Sequence, residues 1–209
     1  KLSTKISKLY GERTADVIRA NPYRLVEDLD GVGFLTADRI AAALGIAPDS
    51  EFRLQAALKY LLKDAAAAAG HVFLPQGYLV ERCAQLLRVE APLVQRQLQT
   101  LLLRRMLIAG GTAEEPTVYL PVYDAAEREV AQRLMELVAA LAPMKSVGAE
   151  RDIDRFEKSR HMHFSPKQRQ AIIAALEQGV LVITGGPGTG KTTIINCIIS
   201  LLAKDGEVA

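Results

Sequence analysis

VLVITGGPGTGKTT, residues 180–193, is the stretch that decides how this chain is read. Gly185, Gly190, Lys191 and Thr192 meet the spacing GxxxxGK[ST], and the flanks decide whether such a match carries meaning. Val180 to Thr184 form a short, β-branched run after Gly179, which predicts a buried strand. TTIINCIISLLAK, residues 192–204, predicts an apolar helix. Strand, glycine loop and helix is the order a phosphate cradle requires. Glycines let consecutive backbone N–H groups turn inward onto phosphate oxygens. The helix N-terminus adds the positive end of its dipole. The nucleotide-binding residues expected here are Gly185, Gly186, Pro187, Gly188, Thr189, Gly190, Lys191, Thr192 and Thr193. Lys191 is expected to reach the β- and γ-phosphates and the Thr192 hydroxyl to ligate Mg²⁺ on them, so these two carry the catalytic role.

The segment before the strand narrows the class. FSPKQRQAIIAAL, residues 164–176, predicts a helix with Ser165 as N-cap and Pro166 at its first position, and with Ile172, Ile173 and Leu176 apolar. Gln168 lies 23 residues before Lys191 (191 minus 168). A glutamine amide donates and accepts at the same time, so it can separate adenine from guanine. At this place, one helix before the loop, Gln168 resembles the adenine-reading glutamine of superfamily 1 and 2 helicases.

Near the other end, residues 21–46 read NPYRLVEDLDGVGFLTADRIAAALGI. Leu25, Val26 and Leu29 mark one short amphipathic helix; Ala37, Ile40, Ala41 and Leu44 mark a second, with Asp30-Gly31-Val32-Gly33 between them. This is the helix-hairpin-helix pattern. Its glycines permit a tight turn with positive φ. Amides at the start of the second helix can hold a DNA phosphate without reading bases. The DNA-binding residues expected here are Gly31, Val32, Gly33, Thr36 and Arg39, although Val32 also suits a plug into the hairpin's own core. Thr14-Ala15-Asp16-Val17-Ile18 echoes Thr36 to Ile40, with Gly11 at the place of Gly33 but Leu9 at the place of Gly31, which leaves a degenerate repeat and a chance match both open.

The middle predicts a helix over 51–69, an apolar piece at 71–74, helices near 76–88 and 92–105, and strands at 106–109 and 117–120 joined by a Gly110-Gly111 loop. That is winged-helix order. The alanine run 65–69 reads as close packing. The third helix carries Arg96, Arg104 and Arg105 without an acid, and Arg96 and Arg104 are candidate DNA contacts. Val130, Leu134, Leu137, Val138 and Leu141 share one face of a helix over 124–141, which predicts core packing. The mixed-charge stretch 148–163 reads as a solvated connector. His161 and His163 have no carboxylate or Cys at ligand spacing, so no metal role is expected of them.

The whole chain has 209 residues, which at about 150 per domain means one or two domains. A hydrophobic fraction of 49% with a net charge of +2 excludes intrinsic disorder. That charge does not point to nucleic acid by itself, so a DNA reading rests on local motifs. No run reaches the roughly 18 apolar residues of a membrane span, and no signal peptide is visible. Cys83 and Cys197 form no metal or disulfide pattern, and a reduced cytoplasm is the expected compartment.

The pairing of NPYRLVEDLDGVGFLTADRIA with VLVITGGPGTGKTT resembles the RecD-like DNA helicases, in their long-N-terminus bacterial branch of superfamily 1. The resemblance implies a multidomain chain: a mainly α N-terminal region followed by the start of an α/β RecA-like domain. Its parts are a helix-hairpin-helix region at 1–48, a winged-helix-like module at 49–123, a connecting helix and linker at 124–163, and the motor domain's start at 164–209. It further implies 5′→3′ translocation on single-stranded DNA driven by ATP and Mg²⁺, in DNA repair or recombination. Single-stranded and junction or tailed duplex DNA are the implied partners, with no membrane. A complete motor needs more parallel strands, a second acidic motif and an arginine facing the γ-phosphate. None lies within the 209 residues, so the expectation is a piece of a longer chain that alone hydrolyses no ATP. Two rival readings are a DNA-binding scaffold with a non-hydrolysing loop and another loop-containing NTPase. The intact GKTT argues against the first; Gln168 and the hairpin argue against the second.

Overall fold

The computed structural model describes residues 2–29, 31–140, 148–178 and 180–204. Asp30, Leu141 and Gly179, which the sequence reading invoked, lie outside the described residues, as do 205–209. The chain forms two compact units, residues 1–127 and 128–209.

The first unit opens with helix α1 (Leu2–Tyr10), a 3-10 turn at Gly11–Arg13 and α2 (Thr14–Ala20). Gly11, aligned with Gly33 in the sequence, opens this turn with a φ of +56°. Then come α3 (Arg24–Asp28) and α4 (Phe34–Ala43). Ile6, Leu25 and Val32 form a small core with Tyr10, Ile18, Leu29 and Ile40 against it.

Helix α5 (Glu51–Ala69) buries Leu54, Ala57, Leu58, Leu61 and Leu62, the i, i+3, i+4, i+7 stripe of a core-facing helix. It ends at Gly70, whose φ of +71° makes the left-handed cap glycine accepts readily. The alanine run keeps the helix going, but Ala67, Ala68 and Ala69 are exposed rather than closely packed. Alanine's own propensity sustains helix without a partner. Strand β1 (Phe73–Pro75), α6 (Gln76–Leu87) and α7 (Ala91–Leu103, with Pro92 in its first turn) follow. Helices α5, α6 and α7 pack on one another. Strands β2 (Ile108–Gly111) and β3 (Pro116–Tyr119) close an antiparallel sheet of order β1-β3-β2, with Leu74 opposite Val118 and Ala109 opposite Val118. Gly110 and Gly111, expected as the loop, belong to β2 instead, and the chain turns over residues 112–115. The close approach of Thr117 and Tyr119 to Gly110 leaves no room there for a side chain. Helix α7 ends before Arg104, so Arg104 and Arg105 lie in the turn after it.

Helix α8 (Pro121–Ala140) runs across the boundary between the units. Its apolar face was expected to pack into a core. Val130, Leu134, Leu137 and Val138 are all exposed in the structure. Amphipathic spacing reports that a face needs a partner, not that the local fold supplies one. Pairs one turn apart, Arg133 with Glu129 and Gln132 with Glu136, support the helix locally.

The second unit contains α9 (Ala149–Arg160), α10 (Pro166–Glu177) and α11 (Lys191–Lys204). Stretch 148–163, read as a solvated connector, is largely α9. Its Ala149, Ile153 and Phe156 join Phe164, Ile172, Leu176, Ile194, Cys197 and Leu201 in one core. Charged residues on the outer face hid that inner stripe from a composition-based reading. Residues 180–186 were expected to include a strand. They form no ladder among the described residues, and Val182 is 76% exposed. A parallel strand is stabilised by neighbours distant in sequence, and none pairs with it here.

Candidate nucleotide site and DNA-binding hairpin

The glycine loop folds as a compact turn into α11. Gly188 and Gly190 have φ of +76° and +82°, left-handed values that exclude most other residues. The Ile194 N–H donates to the Gly190 carbonyl, the first helical bond from the loop. The Thr189 hydroxyl donates to the Gly186 carbonyl at 2.9 Å. Lys191 Nζ donates to the carbonyls of Gly185 and Gly186, each at 2.7 Å, so its ammonium lies over the loop. Thr192 is exposed and Thr193 partly buried at the start of the helix. A Cβ placed on Gly186 or Gly188 would meet nothing within 4 Å, so the loop's face is open.

Gln168 is brought to this loop. Ser165 caps α10, its Oγ accepting from the Gln168 N–H, while the Ser165 N–H donates to Gln168 Oε1 at 2.8 Å. The reciprocal pair is a capping box. Gln168 Nε2 then donates to the Thr189 carbonyl at 3.0 Å. Gly190 is glycine for a second reason here: a Cβ would come within 2.7 Å of Gln168 Nε2. These contacts also fix which end of the amide is which. An amide oxygen has two lone pairs and its nitrogen two hydrogens. One of each is used, so one acceptor and one donor remain.

In the first unit, Gly31 (φ +87°) makes the hairpin turn, and Gly33 is the extended N-cap residue of α4. Both glycines are exposed. The Thr36 N–H donates to the Gly33 carbonyl, and exposed Arg39 bonds through Nε to the Leu35 carbonyl. Val32 is 6% exposed and sits in the hairpin's core, so it anchors the turn from inside. Asp38 fastens α4 to the helical body. It accepts from Tyr23 Oη at 2.6 Å and from Arg53 Nε and Nη2 at 2.8 and 3.0 Å. Burial alone would raise the Asp38 carboxyl, but the Arg53 and Tyr23 donors outweigh it and hold it below the ordinary range. Arg53 Nη1 also donates to the Pro48 and Leu87 carbonyls, so one guanidinium joins α4, α5 and α6. Arg96 is exposed on α7 and Arg104 exposed just past its end, on elements other than the hairpin.

Comparison with known proteins follows the same division. Residues 1–73 match the family described as the ATP-dependent RecD2 DNA helicase HHH domain, and residues 168–209 match the AAA domain family. The ATP-dependent RecD2 DNA helicase of Deinococcus radiodurans is 32% identical over 208 residues, covering 95% of this chain. These matches support a RecD-like helicase N-terminal region. The RecBCD enzyme subunit RecD of Mycolicibacterium smegmatis is 37% identical over 92 residues, 44% of the chain. The RecBCD subunit RecD of Buchnera aphidicola is 46% identical over 52 residues, 25% of the chain. The chain spans 28%, 15% and 8% of the lengths of these relatives, respectively.

The RecD-like chain also holds functional candidates that the sequence reading passed over. Glu157, on α9, is 7% exposed and is the buried charged residue among the described ones. Its Oε1 accepts from the Phe164 N–H at 2.7 Å, and its Oε2 accepts from Arg169 Nη1 at 3.0 Å. The Phe164 N–H, then the Arg169 guanidinium and the neighbouring His163 ring, hold the Glu157 carboxyl below its ordinary range against the cost of burial. Arg169 Nη2 donates to Asp154 as well, at 2.6 Å. The spacing of Ala149, Ile153 and Phe156 was the available signal that α9 has an inner face. Cys83 is buried, and burial pushes its thiol up to about 12, so it packs and does not react. Among the described residues no cluster of His, Cys, Asp or Glu could hold a metal, and no helix is long and apolar enough to cross a membrane.

Proposed function

We propose that this chain is the DNA-binding and nucleotide-binding portion of an ATP-dependent DNA helicase of the RecD type, moving 5′→3′ on single-stranded DNA. The observation that carries the reading is the meeting of Lys191 and Gln168 on one short loop. Lys191 lies over the Gly185 and Gly186 carbonyls, and Gln168 bonds Thr189. A phosphate group and an adenine bound there would each have a dedicated side chain.

The residues present fit ATP with Mg²⁺. The open faces of Gly186 and Gly188 leave space for phosphate oxygens against the backbone. Lys191 Nζ, a flexible point charge, can exchange carbonyl partners for phosphate oxygens. The Thr192 hydroxyl, exposed at the helix start, would ligate Mg²⁺, and Thr193 and Pro187 would complete the loop. The free acceptor and donor of Gln168 match the adenine amino group and ring nitrogen. Guanine would present a carbonyl where the acceptor needs a donor. ATP hydrolysis would supply the free energy for movement, and this chain's residues would bind and orient the nucleotide.

DNA backbone binding belongs to the hairpin in this reading. Gly31 and Gly33 present exposed backbone at the start of α4, with Thr36 and Arg39 beside them. The order α5, β1, α6, α7, β2, β3 suits a winged helix, with Arg96 and Arg104 as its DNA contacts. The domains follow as helix-hairpin-helix (1–48), winged-helix-like module (49–123), connector (124–163) and the start of a RecA-like domain (164–209). The substrates are single-stranded DNA and tailed or junction duplexes in the bacterial nucleoid.

The test is ATP-dependent unwinding by the full-length protein of a duplex with a 5′ tail and one with a 3′ tail. Unwinding of the 5′-tailed duplex alone, lost in Lys191→Ala, is expected. Unwinding of neither, with DNA binding intact, would favour a DNA-binding scaffold.

A further inference from the structure

The corner that presents Gln168 is held from outside the loop. Phe164 and Arg169 bracket the capping box of Ser165 and Gln168 in sequence, and both are bonded to Glu157. Oε1 of Glu157 takes the Phe164 N–H, one residue before the cap. Oε2 takes the Arg169 guanidinium, one residue after Gln168. Arg169 Nη2 is tied to Asp154 at 2.6 Å and reaches the Glu150 carbonyl at 3.5 Å. His163 Nδ1 is 3.6 Å from Glu157 Oε2. The stacked rings of Phe156 and Phe164, 6.1 Å apart, close the same corner on its apolar side. A buried carboxylate is costly unless its oxygens are satisfied. This one is satisfied by the two groups that flank the capping box.

We propose that Glu157 is a positioning residue for base recognition: through Phe164 and Arg169 it fixes the start of α10, and so the direction in which the Gln168 amide points its free donor and acceptor. The proposal rests on the reading of Gln168 as the adenine contact. The bonds of Glu157 run to Phe164 and Arg169, and from there it reaches the phosphate loop only through Gln168, whose Nε2 donates to the Thr189 carbonyl. Its influence therefore falls first on the base contact, and nucleotide selectivity is the quantity that reports it.

The variant is Glu157→Gln, which keeps an oxygen for the Phe164 N–H and gives up the charge that holds Arg169. Arg169→Gln cuts the same link from the other side and leaves Phe164 bonded. Steady-state DNA-stimulated hydrolysis of ATP and of GTP is measured for the full-length protein, with each variant alone and combined with Gln168→Ala. A thermal melt of each variant shows that it is folded. In both variants KM for ATP is expected to rise and the preference for ATP over GTP to fall about five-fold, as when one charge-assisted hydrogen bond is weakened. The kcat for ATP stays within about two-fold, because transition-state contacts are untouched. In the Gln168→Ala background neither variant changes the preference further, as residues acting through one group are non-additive.

An unchanged preference in both variants overturns the proposal. So does an equal loss for both nucleotides, or a full additional loss on top of Gln168→Ala; each would make Glu157 a purely structural residue. Failure of the underlying reading looks different: Gln168→Ala itself would leave the ATP preference intact, or the wild-type protein would show none.

Discussion

Leu58 on α5 is fully buried, whereas Ile199 on α11 is 50% exposed, although both lie on apolar stripes of helices. They stand for two regions built on different plans. Residues 1–127 close their core with helices near one another in the chain, plus a three-stranded sheet. Residues 128–209 bury one face of α9, α10 and α11 and leave Val182, Ile195 and Ile199 in solvent. The helical region draws its stability from local packing. The loop region spends its few fixed contacts on holding Lys191, Gln168 and the capping box in place.

The largest expected effect sits in the loop region. Lys191→Ala in the full-length protein is expected to cut ATP turnover by about a hundred-fold or more, the usual cost of losing a preorganised electrostatic contact. Steady-state hydrolysis with saturating single-stranded DNA measures it. A variant turning over at near the wild-type rate would place the phosphate contact elsewhere.

Stability probes sharpen the contrast between the regions. Leu58→Ala is expected to cost about 3 kcal/mol in urea unfolding, as a buried leucine removed from a closed core does. Ile199→Ala is expected to cost less than about 0.5 kcal/mol if its face is as exposed as the structure shows. Similar costs for the two would mean that α11 is covered in solution. Arg53→Met should fall between them, at about 2 kcal/mol, since it strands partly buried Asp38 and frees the Pro48 and Leu87 carbonyls.

The hairpin gives a smaller effect. Gly31→Ala places a Cβ at φ +87° and is expected to cost about 1 kcal/mol. Space is not the obstacle, because nothing lies within 4 Å of that Cβ. DNA binding should weaken alike on unrelated sequences if the turn contacts backbone, which anisotropy on two sequences would show. A loss confined to one sequence would argue for base reading.

The smallest effect is on pH dependence. The Glu157 carboxyl is held below its ordinary value near 4.5, so it adds stability above that pH which is lost as pH falls through the lower folded value. The stability difference between wild type and Glu157→Gln is therefore expected to be full at neutral pH and to shrink on acidification. A difference independent of pH would mean that the carboxylate charge is not what Arg169 and Phe164 respond to.

How much of this was legible in the sequence follows from the range of the interactions. The loop turn could be read because each residue type answers a local demand at fixed spacing, whereas Gln168 was singled out by its resemblance to the adenine-reading glutamine of superfamily 1 and 2 helicases. The hairpin was legible for the same reason, including the inward role of Val32. Helices α5, α6 and α7 carried their periodicity openly. Glu157 was not legible: its importance comes from contacts with Phe164 and Arg169 that exist only once α9 packs on α10. The strand expected at 180–184 failed because a strand is a property of its neighbours. The face of α8 failed because periodicity names a surface and not what covers it.

The most direct test of the account measures DNA affinity and ATP turnover together in the full-length protein, for wild type and Lys191→Ala. If the hairpin region holds DNA and the loop region holds ATP, the variant loses turnover and keeps nucleotide-free DNA affinity within about two-fold, since additivity holds when a substitution removes no partner shared with the DNA contacts. Turnover that survives Lys191→Ala would contradict the account at its centre.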